Sequence, residues 1–397
     1  MLTIIIFFIL TVLAIIALAK IIFLLAFCII AQIRKKTKSR QITCLKRTVA
    51  FFMVMITLNI GLIAISQFTA STPPVFDENG DIRENSIAEL RKLELNGRKQ
   101  WISLRGWDTS KPVLLFLAGG PGGTQMAAVR HELAELEKHF VVVNWDQPGS
   151  GKSYYAEKTP DISVDTYVQD GYALTEYLRE RFSQEKIYLI GESWGSALGI
   201  FLVDKYPELY HAFIGTGQMV DFVETERMDY AKAMELAVNN GDTALVKKLK
   251  ANGEPPYYGR DVTWKSASYL NYLSSYMASK PGVHNPGYNT LRDIGSSEYG
   301  LLDKINFFRG IISTFNSVYP KLYGIDLRAD YARLDVPVYF FLGRHDVNAP
   351  TLLVEEYERV LDAPDKGIVW FEHSAHSPWI NERDRFVEEV VACFLGD

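Results

Sequence analysis

Ile187-Tyr188-Leu189-Ile190-Gly191-Glu192-Ser193-Trp194-Gly195 carries more information than any other stretch of this chain. The apolar run 187–190 predicts a buried strand, and Ser196 to Tyr206 predicts a helix. Between them stands Gly-x-Ser-x-Gly. A chain that turns this tightly leaves no room for side chains beside the serine, so glycines occupy those positions. The turn lifts the serine hydroxyl clear of the sheet, where a base and a substrate can reach it. Alone, the pattern also suits a plain glycine-rich turn with a surface serine. Three further segments decide between the two.

Upstream, Val113-Leu114-Leu115-Phe116-Leu117 predicts a buried parallel strand that runs into Ala118-Gly119-Gly120-Pro121-Gly122-Gly123. Such a loop supplies one backbone N–H to a developing oxyanion, and the residue after the nucleophile supplies the other. Gly120 and Trp194 are the expected donors. Downstream, the strand Val338 to Gly343 ends at Arg344-His345-Asp346, where a carboxylate can orient a histidine beyond the strand's carboxyl end. Last, Ile368 to Phe371 leads into Glu372-His373-Ser374-Ala375-His376-Ser377-Pro378. His376, deeper in this loop, is the expected base. His373, near the strand end, and His345, beside Asp346, are its rivals.

These residue types fit one chemistry. A serine hydroxyl is a poor nucleophile near neutral pH and needs a base in hydrogen-bond contact. Imidazole takes that proton and returns it to the leaving group. A carboxylate fixes the imidazole tautomer, and two N–H groups hold the charge on the carbonyl oxygen.

The segments resemble the prolyl aminopeptidase (proline iminopeptidase) branch of the α/β-hydrolases. Leu117 to Gly122 resembles that branch's His-Gly-Gly-Pro-Gly stretch. Trp145-Asp146-Gln147-Pro148-Gly149-Ser150-Gly151-Lys152-Ser153 resembles its Asp-Gln-Arg-Gly-x-Gly-x-Ser, and Gly191 to Ser196 its Gly-Gly-Ser-Trp-Gly-Ser. The likeness runs from about Leu95 to the C-terminus and is weakest between Met219 and Leu327. It implies Ser193 as nucleophile, Asp346 as orienting acid and His376 as base. Ala118, Glu192 and Pro148 stand where the family usually has histidine, glycine and arginine. These departures bear on the substrate more than on the chemistry.

Hydrophobic residues make up 48% of the 397, with the excess at the N-terminus. Residues 1–69 hold eight of the 42 Lys and Arg and none of the 47 Asp and Glu, so the remainder carries 34 basic and 47 acidic side chains. An acidic soluble part argues against nucleic acid as a partner. Leu2 to Ile33 and Val49 to Phe68 are long and apolar enough to cross a bilayer. Lys20 interrupts the first, which either spans with Leu2 to Ala19 or tilts to bring Lys20 to an interface. Between the two lie Arg34, Lys35, Lys36, Lys38, Arg40, Lys46 and Arg47, a basic loop expected to stay cytoplasmic. The expectation is a helical hairpin in the cell membrane with everything after Phe68 on the extracytoplasmic side. Three cysteines, Cys28, Cys44 and Cys393, make no disulfide framework, and no group has metal-ligand spacing. No metal or cofactor is expected.

Strands alternating with helices predict a mostly parallel α/β sheet with flanking helices. The expected divisions are a membrane anchor over 1–70, a linker over 71–94, core halves over 95–217 and 328–397, and a helical cap over 218–327. Trp101 to Arg105 reads as an edge strand, Val164 to Phe182 as a covering helix and Ile380 to Leu395 as the last helix. Tyr257, Tyr258, Trp264, Tyr269, Tyr272, Tyr276 and Phe315 either line a pocket under the cap or pack its own core. An aminopeptidase needs carboxylates for the substrate's α-amine, and Glu192, Glu224 and Glu226 are the candidates. The expected activity is release of an N-terminal residue from small peptides through an acyl-enzyme. An esterase or amidase acting on small acyl substrates and a non-catalytic binding or sensor protein are the alternatives.

Overall fold

The computed structural model describes residues 2–35, 37, 39–285 and 287–396. Lys36 and Lys38 of the basic loop lie outside the described residues. The chain forms two compact units, one of residues up to 70 with Tyr299–Lys304, the other of 71–298 with 305 onward.

The first unit is built on α1 (Leu2–Ile33) and α2 (Ser39–Phe68), which pack side by side. Small residues, Ala14, Ala17 and Ala31, are buried on α1, with Met55 on α2. This is how apolar helices approach closely. Phe8, Ile15, Ile22, Phe23, Ile60 and Ile65 are exposed, and both helices are long and apolar enough to cross a membrane. Helix α1 runs unbroken through Lys20. Tyr299–Lys304, expected in the cap, belongs here. Leu301 N donates to Ser66 Oγ at 2.9 Å, giving a partner to an N–H that the start of a helix leaves unsatisfied.

The second unit is organised by an eight-stranded sheet: β1 (Ile87–Leu95), β2 (Arg98–Gly106), β3 (Val113–Leu117), β4 (Val141–Asp146), β5 (Ile187–Glu192), β6 (Tyr210–Thr216), β7 (Val338–Gly343) and β8 (Lys366–Phe371). The strand order is β1-β2-β4-β3-β5-β6-β7-β8. β1/β2 and β2/β4 are antiparallel and every other pair is parallel. All five residues of β3 are buried. Val113, Leu115 and Leu117 enter the core on one face, and Leu114 and Phe116 the core on the other. That is the two-residue period of a strand covered on both sides.

Three expectations need correcting. Trp101 to Arg105 is not at an edge, because β2 pairs with β4 on one side and with β1 on the other. β1 lies in the stretch expected as linker, and Asn96 and Gly97, with φ of 49° and 79°, close the hairpin. Nor is the last helix continuous from Ile380. Glu382 leaves helical geometry at φ −128° and ψ 52°, and Arg383–Leu395 begins after it. Its carboxylate accepts from His373 N at 2.9 Å and Ser374 Oγ at 2.6 Å, so it serves the preceding loop.

The covering helix α3 (Val164–Phe182) starts at a capping box in which Thr166 N donates to Ser163 Oγ at 3.1 Å. Its buried Asp170 accepts from Arg98 Nε at 2.8 Å and Gln100 Nε2 at 2.6 Å, which fastens β2 to the helix. Between β6 and β7 the chain is helical, with Phe222–Asn239, Thr243–Asn252, Val262–Ala278 and Thr290–Gly295 among its elements.

Gly343, at the end of β7, abuts the loop after β8: a Cβ there would lie 1.9 Å from Ala375 O. Gly343→Ala should destabilise the second unit by about 3 kcal/mol, measured by urea unfolding. Gly367→Ala, with nothing within 4 Å of its Cβ, is the control and should change stability far less.

Candidate active site

β5 brings the chain to Ser193 and the helix Trp194–Lys205 takes it away. Ser193 has φ 54° and ψ −121°, a conformation that side chains disfavour and that surrounding structure must impose. Ser193 N donates to Thr216 O at 3.0 Å, and Ser196 N donates to Ser193 O at 2.9 Å. A Cβ on Gly191 would lie 2.2 Å from Gly195 O, and one on Gly195 2.2 Å from Leu117 O. Both glycines are therefore required by backbone packed on backbone. Trp194 opens the helix, so its N–H has no carbonyl one turn back within it.

Asp346 is buried in the turn after β7. Its Oδ1 accepts from Asn348 N at 2.8 Å and Ala349 N at 3.0 Å. Its Oδ2 faces His376 Nδ1 at 2.9 Å. Against a carboxylate the ring nitrogen is the donor, which leaves Nε2 as the acceptor in the neutral ring. Gly217, at φ 51°, makes room for the ring, since a Cβ there would lie 2.8 Å from His376 Cε1. The rival His373 is engaged elsewhere: it stacks on His284 at 4.0 Å, with Nδ1 3.0 Å from Gly282 O.

Ser193 and His376 line one cavity of about 430 Å³, together with Gly120, Gln125, Glu192 and Tyr288. Among the described residues no hydrogen bond joins the Ser193 hydroxyl to the His376 ring, and such contacts commonly close only around substrate. Burial opposes protonation of His376. The Asp346 carboxylate, by charge and hydrogen bond, and Glu192 outweigh it, and the ring is pushed up to about 9.

Glu192 lies beside the nucleophile and is 2% exposed. Its Oε1 accepts from Ser377 Oγ at 2.7 Å, Tyr288 OH at 2.8 Å and Trp379 Nε1 at 3.3 Å. Gln125 Nε2 donates to Oε2. Gly119 accommodates this acid, because a Cβ there would lie 2.8 Å from Oε2. Asp146 accepts from Lys152 N at 2.7 Å, in the loop that follows β4, and from Thr124 Oγ1 of the loop after β3. Gln147 joins the loop after β3 to the residue that follows the nucleophile. Its Nε2 donates to Ala118 O at 3.1 Å, and its Oε1 accepts from Trp194 Nε1 at 2.9 Å.

Glu224 and Glu226, expected near a substrate amine, are not among the residues lining this cavity. Glu224 pairs with Arg328 at 2.6 Å. Glu226 is buried against Tyr269 and Ser266, and burial pushes it up to about 7 despite their hydrogen bonds. Nor do the seven cap aromatics line it. Tyr257 and Tyr269 form a separate core with Tyr230, Leu249 and Leu273, while Tyr258 and Trp264 are exposed. The aromatic lining comes instead from Tyr288, Phe307 and Phe308. Nothing in the local sequence distinguishes these three: Tyr288 reaches the cavity from an irregular stretch, and Phe307 and Phe308 from the end of the helix that closes at Arg309.

Residues 112–347 match the α/β hydrolase fold family. The probable aminopeptidase YbaC of Bacillus subtilis is 31% identical over 313 residues, covering 77% of this chain and 96% of that protein. A proline iminopeptidase of Saccharolobus solfataricus is 24% identical over 286 residues, covering 70% of this chain and 83% of that protein. The crystal structure of the Mycobacterium smegmatis proline iminopeptidase superposes with a TM-score of 0.55 at 17% identity, covering 78% of this chain and 98% of that one. The chain belongs to the α/β-hydrolases, in their prolyl-aminopeptidase-like branch. It is accordingly a hydrolase of peptidase-like type.

The His376 ring gives a direct check on this electrostatic arrangement. Its NMR titration midpoint should fall near 9 in the wild type. It should drop in Asp346→Asn, because the charge that holds the proton is removed. An unchanged midpoint would mean that Asp346 does not govern the ring.

Proposed function

We propose that the chain is a membrane-anchored serine hydrolase that releases an N-terminal residue from small peptides. One observation carries the catalytic reading: His376, held by Asp346 at 2.9 Å, shares a cavity with a serine at φ 54° on a strand-to-helix turn. In the neutral form of the His376 ring, which grows as pH rises toward 9, Ser193 Oγ attacks the carbonyl carbon of the N-terminal residue while its proton passes to Nε2. The N–H groups of Gly120 and Trp194 hold the oxyanion. The C–N bond breaks, His376 protonates the departing amine, and an acyl-enzyme remains. His376 then takes a proton from water as its oxygen attacks the ester carbonyl, the acyl–Oγ bond breaks, and His376 returns the proton to Ser193 Oγ. Asp346 keeps the ring oriented throughout. The peptidase-like relatives support the choice of an aminoacyl substrate.

A fluorophosphonate probe should label the wild type and lose at least 99% of that labelling in Ser193→Ala, a loss of the order seen when a triad nucleophile is removed. An unlabelled wild type would favour a binding or sensor protein. Prolyl and other aminoacyl naphthylamides should be cleaved. Turnover of p-nitrophenyl acetate with no release from any aminoacyl amide would assign the site to an esterase.

What supports the anchor is that α1 and α2 are each long and apolar enough to cross a membrane. With their basic connection on the cytoplasmic side, the hydrolase unit lies outside. Protease added to intact cells should then digest residues after 70, and carbonate washing should leave the protein with the membranes. Protection from external protease would reverse the orientation.

A further inference from the structure

An aminopeptidase must give its substrate's ammonium an acceptor, and most carboxylates near Ser193 are already committed. Both oxygens of Glu192 receive donors from the protein. Glu224 is held by Arg328, and Glu226 by Tyr269 and Ser266 away from the cavity. Asp293 differs. It lies on the helix Thr290–Gly295, is 6% exposed and lines the same cavity as Ser193. Its Oδ1 accepts from Arg292 Nε at 2.8 Å. Its Oδ2 has no hydrogen-bond partner among the described residues.

A buried carboxylate oxygen without a donor is unfavourable, so this position suits a donor that arrives with the ligand. The neighbouring cation does not fill that place. Arg292 is shared with Glu132, at 2.5 Å, so two carboxylates divide one guanidinium, with the mostly exposed Arg383 3.8 Å from Glu132. His131 adds no charge near neutral pH, because burial and the adjacent Arg130 lower its pKa. Ala128, Phe307, Phe308 and Ile311 supply the apolar part of the cavity wall.

We infer that Asp293 receives the α-ammonium of the substrate's N-terminal residue, whose apolar side chain rests against Phe307, Phe308 and Ile311. The substrate class is α-aminoacyl compounds with an apolar side chain. This deepens the proposed serine chemistry and rests on it.

Two esters with one leaving group test this assignment: phenylalanine p-nitrophenyl ester and 3-phenylpropanoic p-nitrophenyl ester, which differ in the ammonium. After correction for their hydroxide rates, wild type should favour the amino ester at least tenfold in kcat/KM, the size expected of a charged hydrogen bond. Asp293→Asn should lose about tenfold or more of that ratio, and Asp293→Glu should recover part of it. In wild type, 2-phenylethylamine should inhibit at least tenfold better than 2-phenylethanol, a measurement that does not depend on a variant folding. An Asn variant with the wild-type ratio would overturn the assignment, as would equal inhibition by amine and alcohol. If both esters are hydrolysed equally, the ammonium subsite falls while the serine chemistry stands. If wild type hydrolyses neither ester and resists the fluorophosphonate, the hydrolase reading itself falls and takes this inference with it.

Discussion

Backbone packed directly on backbone around Ser193 is the constraint on which the rest of the structure depends. Gly191 touches Gly195, and Gly195 touches the end of β3. No side chain intervenes, so the serine is fixed relative to two central strands rather than to a mobile loop. The loop after β3, the turn after β7 and the loop after β8 are then referred to one frame. Gly343 extends the same principle to the far strands by seating the histidine loop against β7. A strained residue persists only where its surroundings over-determine it, and here Thr216 O, Ser196 N and two glycines do so.

The polar interior is arranged around Glu192. An acid this close to the nucleophile would be unfavourable in an apolar pocket. It is accommodated because four side chains from distant parts of the sequence donate to it. Its charge also helps to hold the proton on His376. The family pattern has glycine at this position, so the network of Gln125, Tyr288, Ser377 and Trp379 belongs with the exchange of glycine for glutamate.

Much of the sheet was legible because buried parallel strands are short, uninterrupted apolar runs. β3, β5, β7 and β8 all announce themselves in this way. β1 does not, since its charged residues Glu89, Arg91, Lys92 and Glu94 dilute the pattern. The Asn96-Gly97 pair was the available signal for the hairpin. The pairing of Asp346 with His376 followed from chain order and loop position, and the structure brings those two side chains into contact. The choice among carboxylates was not legible. Glu224 and Glu226 sit at the expected place in the chain, but only coordinates reveal that Arg328, Tyr269 and Ser266 already occupy them. Asp293 lacks any local motif, and the absence of a donor at its Oδ2 among the described residues is a property of three-dimensional packing.

The Tyr288 contact has one more implication. Its hydroxyl comes from the long segment between β6 and β7, yet it donates to the acid that adjoins the nucleophile. Desolvation and the Glu192 carboxylate push the phenol well above its ordinary pKa, so it remains a proton donor. Withdrawal of that segment would strip one donor from Glu192 and alter the field at His376. Thermodynamic linkage makes the relation mutual: a ligand that favours the inserted phenol is bound more tightly by the form that has it. Any displacement of that phenol would therefore also change how tightly the base holds its proton.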